Sequence, residues 1–247
     1  MENLKDKLQT VATMIPRVYE AGVEEGKAAG YNEASLAHWN AITANGTRTV
    51  WIDYSPFGYG DYSAVEFPKP VVVTGDASRL FRLYKGNKFP RKSDIDMTGV
   101  TNVTGTFSFI YGGERRVLPD YGIPALDAYK GTYEQSNVIK EIEVLRCHEN
   151  TQFDKTFNYC TWLHKIRIEG TIGQNGFDIH WSIELSRESI ESIINALSDT
   201  TSGLTVTLSE AACKKAFNVP DDEDIYAGSG MFCDLVLSKS NWTIALI

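Results

Sequence analysis

The chain has 247 residues, 43% of them hydrophobic, which is enough for one large domain or two small ones. Its formal net charge of −8 argues against a nucleic-acid partner, because phosphate binding needs clustered Lys and Arg on a positive face. The chain lacks a run of about 18 apolar residues that could span a membrane. Its charged first residues, MENLKDKLQT, lack the apolar segment of a secretion signal. We therefore expect a protein that is made and folded in a cytoplasm and has no membrane partner.

The N-terminal segment, residues 1–45, is predicted to be helical. Its apolar residues are spaced alternately by four and three positions: Leu4, Leu8, Val11, Ile15 and Val18. This spacing is typical of a coiled-coil seam, although Pro16 should kink the helix. A marginal helix of this length needs partners to persist, which favours a homo-oligomeric stem. The alternative is an amphipathic helix that packs on its own domain.

Residues 46–92 are predicted to be a β connector rich in aromatic residues and Gly, with a strand starting at Val71. Its early aromatic residues could line a sugar-binding surface, but we favour a small satellite core. These residues are Trp51, Tyr54, Phe57, Tyr59 and Tyr62.

The connector ends in the one basic stretch of this acidic chain. Its members are Arg79, Arg82, Lys85, Lys88, Arg91 and Lys92. They could meet a phosphate-bearing polymer or an acidic neighbouring subunit. Because Leu80 and Phe81 interleave with them, we favour the alternative, a solvated face over an apolar strip.

Residues 93–247 contain a sequence repeat. Segments 132–144 and 156–168 share a Thr, an aromatic residue, two apolar residues and a closing Ile-x-Val/Ile, at an offset of 156 − 132 = 24 residues. Thr106 and Phe107 begin a degenerate third copy. A unit of this length must stack on its neighbours, which predicts a solenoid. The Ile-x-Val/Ile that ends each unit alternates apolar with other residues, which predicts a short strand. The units should therefore form a narrow parallel sheet, with turns and short helices on the other side.

The C-terminal part is predicted to cap the solenoid. Residues 185–197 form the strongest helix pattern, with Ser186 as its N-cap and an apolar stripe that ends at Leu197. Further elements are expected at 204–208 (strand), 211–217 (helix) and 242–247 (strand).

Residue types that support catalysis or metal binding occur without a recognised pattern. The four histidines (His38, His148, His164 and His180) accompany no nucleophile or phosphate-binding motif. The four cysteines lack zinc spacing and are expected to be buried free thiols. Asp178 and Glu184 flank Trp181 as a glycosidase pair would, but two acids alone do not specify one. We predict a non-enzymatic protein without metal or cofactor.

Several segments resemble one group of proteins. The pattern Thr-Phe-x-x-Cys-x-x-Leu-x-x-Ile-x-Ile in residues 156–168 resembles BspA-type leucine-rich repeats, and IDMTGVTNVTGTF (95–107) is similar to related bacterial surface repeats. Residues 168–199 are similar to the C-terminal end of leucine-rich-repeat proteins encoded by phages and prophages of Gram-positive gut bacteria. Residues 15–27, 38–49 and 57–70 resemble the N-terminal part of the same proteins. The resemblance covers most of the chain, but the repeats are few and one is degenerate.

The resemblance implies an α/β fold: a short leucine-rich-repeat solenoid with a capping helix and strand, preceded by a helical stem. It also implies a virion structural protein of the tail, baseplate or fibre region, assembled in the host cytoplasm. Such a protein, expected to be a trimer, would dock through its N-terminal helices on other tail or baseplate proteins. Its repeats would project outward towards a host-surface glycan or protein. The alternatives are a bacterial cell-surface or host-glycan adhesion module and a purely architectural plug.

Overall fold

The computed structural model describes residues 71–84, 89–112, 114–226 and 231–247. The predicted stem and its apolar seam lie outside the described residues, as do the early aromatic residues of the connector and Lys85 and Lys88 of the basic stretch. In chain order the regular elements of the described part are β1 (Val71–Asp76), a 3-10 helix (Lys92–Asp94), β2 (Ile95–Asn102), β3 (Arg116–Leu118), β4 (Ile139–Cys147), β5 (Lys165–Gly170), α1 (Arg187–Asn195), β6 (Leu204–Leu208), α2 (Glu210–Phe217), α3 (Met231–Leu237) and β7 (Trp242–Leu246).

All strand pairs among these elements are parallel, as the sequence repeat predicts. β1 pairs with β2, β4 lies between β3 and β5, and β6 pairs with β7. Ile142 is the register partner of Ile166, an offset of 166 − 142 = 24 residues that equals the repeat length. The described chain is therefore a mixed α/β solenoid of stacked strands with few helices. The parallel stacking begins with β1, upstream of residue 93.

The turn segments of successive units also stack in register. The backbone N–H of Phe81 donates to Thr106, that of Phe107 to Thr132 and that of Tyr133 to Thr156, at 2.8, 2.8 and 3.0 Å. These bonds satisfy buried main-chain groups, which would otherwise have neither water nor another hydrogen-bond partner. The predicted division of each unit into a turn and a closing strand is confirmed.

The repeated aromatic position forms the core of the turns. Rings at this position stack with centroids 5.4 to 5.8 Å apart and with nearly parallel planes; they belong to Phe81, Phe107, Tyr133 and Phe157. All four side chains are buried. Phe177 closes the column at 5.3 Å from Phe157. The aromatic residue of the repeat therefore holds each turn against the next.

The Thr that precedes each of the last three repeated rings forms a hydrogen bond inside the stack. Its hydroxyl donates to a buried carbonyl oxygen of the preceding turn, in the pairs Thr106 to Ala77, Thr132 to Val103 and Thr156 to Tyr129. A later position is also a donor, because Ser136 bonds to the Phe107 oxygen and Cys160 to the Tyr133 oxygen. The polar repeat positions thus satisfy backbone acceptors inside the stack.

Helix α1 closes the edge of β5. Its N-cap is Ser186, as predicted, whose hydroxyl accepts from the Ser189 N–H at 3.3 Å. The Ser189 hydroxyl accepts from the N–H of Ile166 at 3.0 Å, and the Ser192 hydroxyl accepts from that of Ile168 at 2.9 Å. Side-chain oxygens of a helix therefore take the bonds that a further strand would have made, so the sheet edge is not left open.

The C-terminal elements β6, α2 and β7 lie where the sequence predicts a strand, a helix and a strand. The sequence did not predict α3. Its Phe232 packs against Phe217 of α2 at 5.2 Å between ring centroids. Within the described ranges, no helix has both the length and the apolar character needed to cross a bilayer.

Candidate ligand-binding surface

Four successive turns of the described solenoid each have two positions with left-handed backbone. The first is occupied by Arg79, Gly105, Gly131 and Lys155, and the second by Leu83, Phe109, Gln135 and Tyr159, with φ between 54° and 63°. Glycine adopts this conformation freely, whereas other residues lose roughly 1–2 kcal/mol. Glycine fills two of the four first positions but none of the second. At the second left-handed position, all four turns therefore keep a side chain despite the strain. This points to a role for these side chains.

Side chains at and near the second position form a row in which Tyr111 and Tyr159 are exposed and Phe109, Gln135 and Trp181 are half-buried. Phe109 and Tyr111 have ring centroids 6.4 Å apart, and the Tyr111 hydroxyl donates to Gln135 Oε1 at 2.6 Å. In the later turns the Tyr159 ring lies 4.3 Å from Trp181. Tyr111 and Tyr159 are each 45% exposed. We call these five residues the aromatic strip.

The strip runs along the solenoid axis. Phe109 donates its N–H to Glu134, one turn further on, and Gln135 donates to Asn158 of the following turn, at 2.8 and 2.7 Å. Since hydrogen-bonded turns lie about 4.8 Å apart, Phe109 and Tyr159 are separated by about 10 Å along the axis. The backbone donors of Phe109 and Gln135 are thus used within the stack, so a ligand there would meet side chains.

Polar groups flank the aromatic strip. Asn158 Nδ2 donates to Glu134 Oε1 at 3.2 Å, and the guanidinium carbon of Arg82 lies 4.7 Å from the centre of the Phe109 ring. At the other end, His180 Nδ1 lies 2.6 Å from Asp178 Oδ1. Flat apolar rings and hydrogen-bonding groups therefore alternate, as in many small-molecule sites.

A second surface feature is a charged hollow of about 300 Å³ on the outer face of β4 and β5. Its lining residues are Lys92, Asp120, Glu141, Ile142, Glu143, Lys165 and Arg167. Arg146, beside it, pairs with Asp120 at 2.7 Å and with Glu169 at 3.1 Å. The hydrogen bond from Arg146 is the main cause that holds the pKa of Asp120 well below its usual range. Because its charges are largely paired with one another, this hollow is a weaker candidate than the aromatic strip.

The described members of the basic stretch have different surroundings. Arg79 occupies a left-handed position, and Arg82 covers a ring of the aromatic strip. Arg91 pairs with Asp94 at 2.9 Å, and Lys92 pairs with Asp120 at 3.2 Å. The apolar residues between the arginines, Leu80 and Phe81, are buried. Two of the basic side chains thus meet carboxylates of the same chain.

The groups considered for catalysis have other contacts. Glu184 bonds to Lys215 at 2.9 Å, and this bond is the main cause that lowers the Glu184 pKa. A glycosidase acid needs the opposite shift. Burial raises the pKa of the Cys147, Cys160 and Cys213 thiols to about 11, 12 and 12, which disfavours the reactive thiolate. Within the described ranges, no three His, Cys, Asp or Glu side chains are grouped as metal ligands.

The sequence did not identify the aromatic strip. Gln135 and Tyr159 occupy equivalent places in the two clear repeats, at an offset of 159 − 135 = 24 residues, but the repeat pattern leaves both positions variable. The sequence signal that could have identified the strip is the recurrence of large or polar residues at a turn position where glycine would be expected.

No protein-family model, curated protein or solved structure matches this chain. The class of the described part therefore rests on its own geometry, which is that of a mixed α/β solenoid with parallel stacked strands.

Proposed function

We propose that the protein is a non-enzymatic structural component of a phage virion, located in the tail, baseplate or fibre region. Its leucine-rich-repeat-like solenoid projects outward and contacts the host surface. The resemblance of segments 15–27, 38–49, 57–70 and 168–199 to phage-encoded proteins supports the virion assignment. The exposed aromatic strip on a stacked solenoid is the observation that supports contact with a ligand.

A stacked solenoid suits this role physically. Each turn is bound to the next through main-chain hydrogen bonds and through the buried aromatic column. Side chains on such a frame are held in fixed relative positions, so less conformational entropy is lost when they bind. Repeated turns also create an extended surface on which one type of contact recurs.

The N-terminal helices supply attachment in this proposal. The seam formed by Leu4, Leu8, Val11, Ile15 and Val18 associates as a trimer and docks on other tail or baseplate proteins. A structure with rotational symmetry presents several copies of the solenoid at once. Weak single contacts then add up through multivalency.

The solution mass of the full chain and of a chain starting at Tyr31 tests the attachment. The proposal expects a full chain near three times 27.5 kDa and a monomeric shortened chain. A monomer in both cases would contradict the trimeric stem. It would favour the alternative, a bacterial cell-surface or host-glycan adhesion module, which the exposed aromatic strip also suits.

A further inference from the structure

We propose that the aromatic strip binds a linear, neutral saccharide chain that lies along the solenoid axis. This inference rests on the proposed role of the solenoid in surface contact and names the ligand class and the residues. The strip consists of Phe109, Tyr111, Gln135, Tyr159 and Trp181.

The exposed rings of Tyr111 and Tyr159 suit the apolar faces of sugars. Aromatic rings carry a negative face and a positive edge. The C–H groups on one face of a pyranose are slightly positive, so they pack on the ring face while the hydroxyls point outward. Tyr159 and Trp181 lie together, and both Tyr111 and Tyr159 are nearly half exposed. Tyr and Trp also give large contact areas at little cost in conformational entropy.

The polar members provide directional contacts between the rings. The hydroxyl of Tyr111 donates to the oxygen of the Gln135 amide, which orients the amide nitrogen as a donor. Glu134 and Asn158 are joined at 3.2 Å beside it and offer further acceptors and donors. Sugar hydroxyls need this alternation of donors and acceptors.

The main chain disfavours an extended peptide as the ligand. A peptide that adds a strand needs unpaired backbone groups, but the N–H groups of Phe109 and Gln135 are already bonded to the next turn. A folded protein partner usually covers about 800 Å² per side. The strip is a row of five side chains along the solenoid axis, which a narrow chain-like ligand fits better.

The charge near the strip favours a neutral ligand. Arg82 lies over Phe109, whereas Glu134 and Asp178 lie beside the middle and the far end. The chain as a whole carries a net charge of −8. The carboxylates of Glu134 and Asp178 would repel an acidic polysaccharide at the middle and the far end of the strip, and neutral sugars would not be repelled.

Affinity electrophoresis of the full chain through gels that contain linear neutral glucans, mannans, galactans or soluble chitin oligosaccharides tests the proposal. We expect retardation by at least one probe, independent of salt. Tyr159→Ala should weaken this binding by at least about tenfold, as should Trp181→Ala. The matched control is Tyr226→Ala in the C-terminal cap, where the side chain is 44% exposed; it should leave the retardation unchanged.

Gln135→Ala separates loss of binding from loss of folding, because it removes a half-buried amide and leaves the rings in place. It should also weaken the retardation, and the melting temperature should be unchanged. Absence of retardation by every probe would overturn the proposal, and so would equal weakening by Tyr226→Ala. Binding of a purified surface protein that depends on Tyr159 would reassign the strip to a protein partner. The strip variants should keep the solution mass, so a failed site is distinguishable from a failed stem.

Discussion

Replacement of Phe157 tests the stacking of the solenoid turns most directly. Phe157 is fully buried, and its ring centroid lies 5.5 Å from Tyr133 and 5.3 Å from Phe177. The backbone cannot easily close over a missing ring, because the preceding Thr156 is tied through its carbonyl to the Tyr133 N–H and through its hydroxyl to Tyr129. A rigid frame of this kind leaves a cavity, and Phe→Ala changes at such sites cost about 3–5 kcal/mol of unfolding free energy.

The magnitude follows from two contributions. Each aromatic pair contributes roughly 0.5–1.5 kcal/mol beyond its burial, and Phe157 takes part in two pairs. The lost transfer of the ring from water and the unfilled cavity supply the remainder. We therefore expect Phe157→Ala to lower the unfolding free energy by about 3–5 kcal/mol.

Urea unfolding followed by circular dichroism measures this quantity, provided that the slope with urea is unchanged. Tyr159→Ala is the control, because this residue is two positions away and 45% exposed; it loses one aromatic pair, with Trp181, and should cost about 1–2 kcal/mol, clearly less than Phe157→Ala. A loss below about 1 kcal/mol for Phe157→Ala would mean that the ring does not lie in the core and that the register of the turns is wrong.

Four further predictions follow from the described contacts and from the predicted stem. Thr132→Val should lower the unfolding free energy by about 0.5–1.5 kcal/mol in urea titration, because it removes one of the two hydrogen bonds to the buried Val103 carbonyl and leaves the bond from the Thr106 N–H; a neutral result would contradict that bond. Asp120→Asn should destabilise the protein at pH 7, and the difference from wild type should shrink as the pH falls below about 4, because a lowered pKa stabilises the fold only while the carboxyl is ionised. A difference that persists undiminished at pH 3 in urea titration would refute this. A thiol reagent should label the half-buried Cys233 in the native state well before the buried cysteines Cys147, Cys160 and Cys213; equal rates by mass spectrometry would argue against their burial. Leu8→Asp should dissociate the oligomer in light scattering, because it places a charge in the predicted seam; an unchanged oligomeric mass would exclude the coiled coil.

The repeat could be predicted from the sequence because buried positions recur with fixed spacing. Segments 132–144 and 156–168 place an aromatic residue at the same offset, and the structure buries both Tyr133 and Phe157. The closing pair aligns only in part: Ile142 pairs with Ile166, but a register shift in β4 makes Leu145, and not the half-buried Val144, the partner of Ile168. The capping helix was also predictable, because Ser186 and the apolar stripe behind it are local signals. The first turn was not recognised. Leu80 stands there in place of the repeated Thr, and the surrounding arginines suggest a separate basic segment.

The aromatic strip could not be predicted in the same way. Hydrophobic periodicity reports which positions are buried, whereas Tyr111 and Tyr159 are exposed. Their neighbourhood is created by the stacking of turns that are about 24 residues apart, which sequence spacing alone does not fix. The short helix α3 could not be predicted for a different reason. Its seven residues, MFCDLVL, are too few to show the helical spacing of apolar residues.

The central claim is that the protein is part of a phage particle and presents its solenoid to the outside. Electron microscopy of purified particles with an antibody against the solenoid tests this claim directly. The proposal predicts label at the tail tip, baseplate or fibres of the particles. Particles without label, together with label on the surface of the bacterium that makes the protein, would contradict it and would support the adhesion module instead.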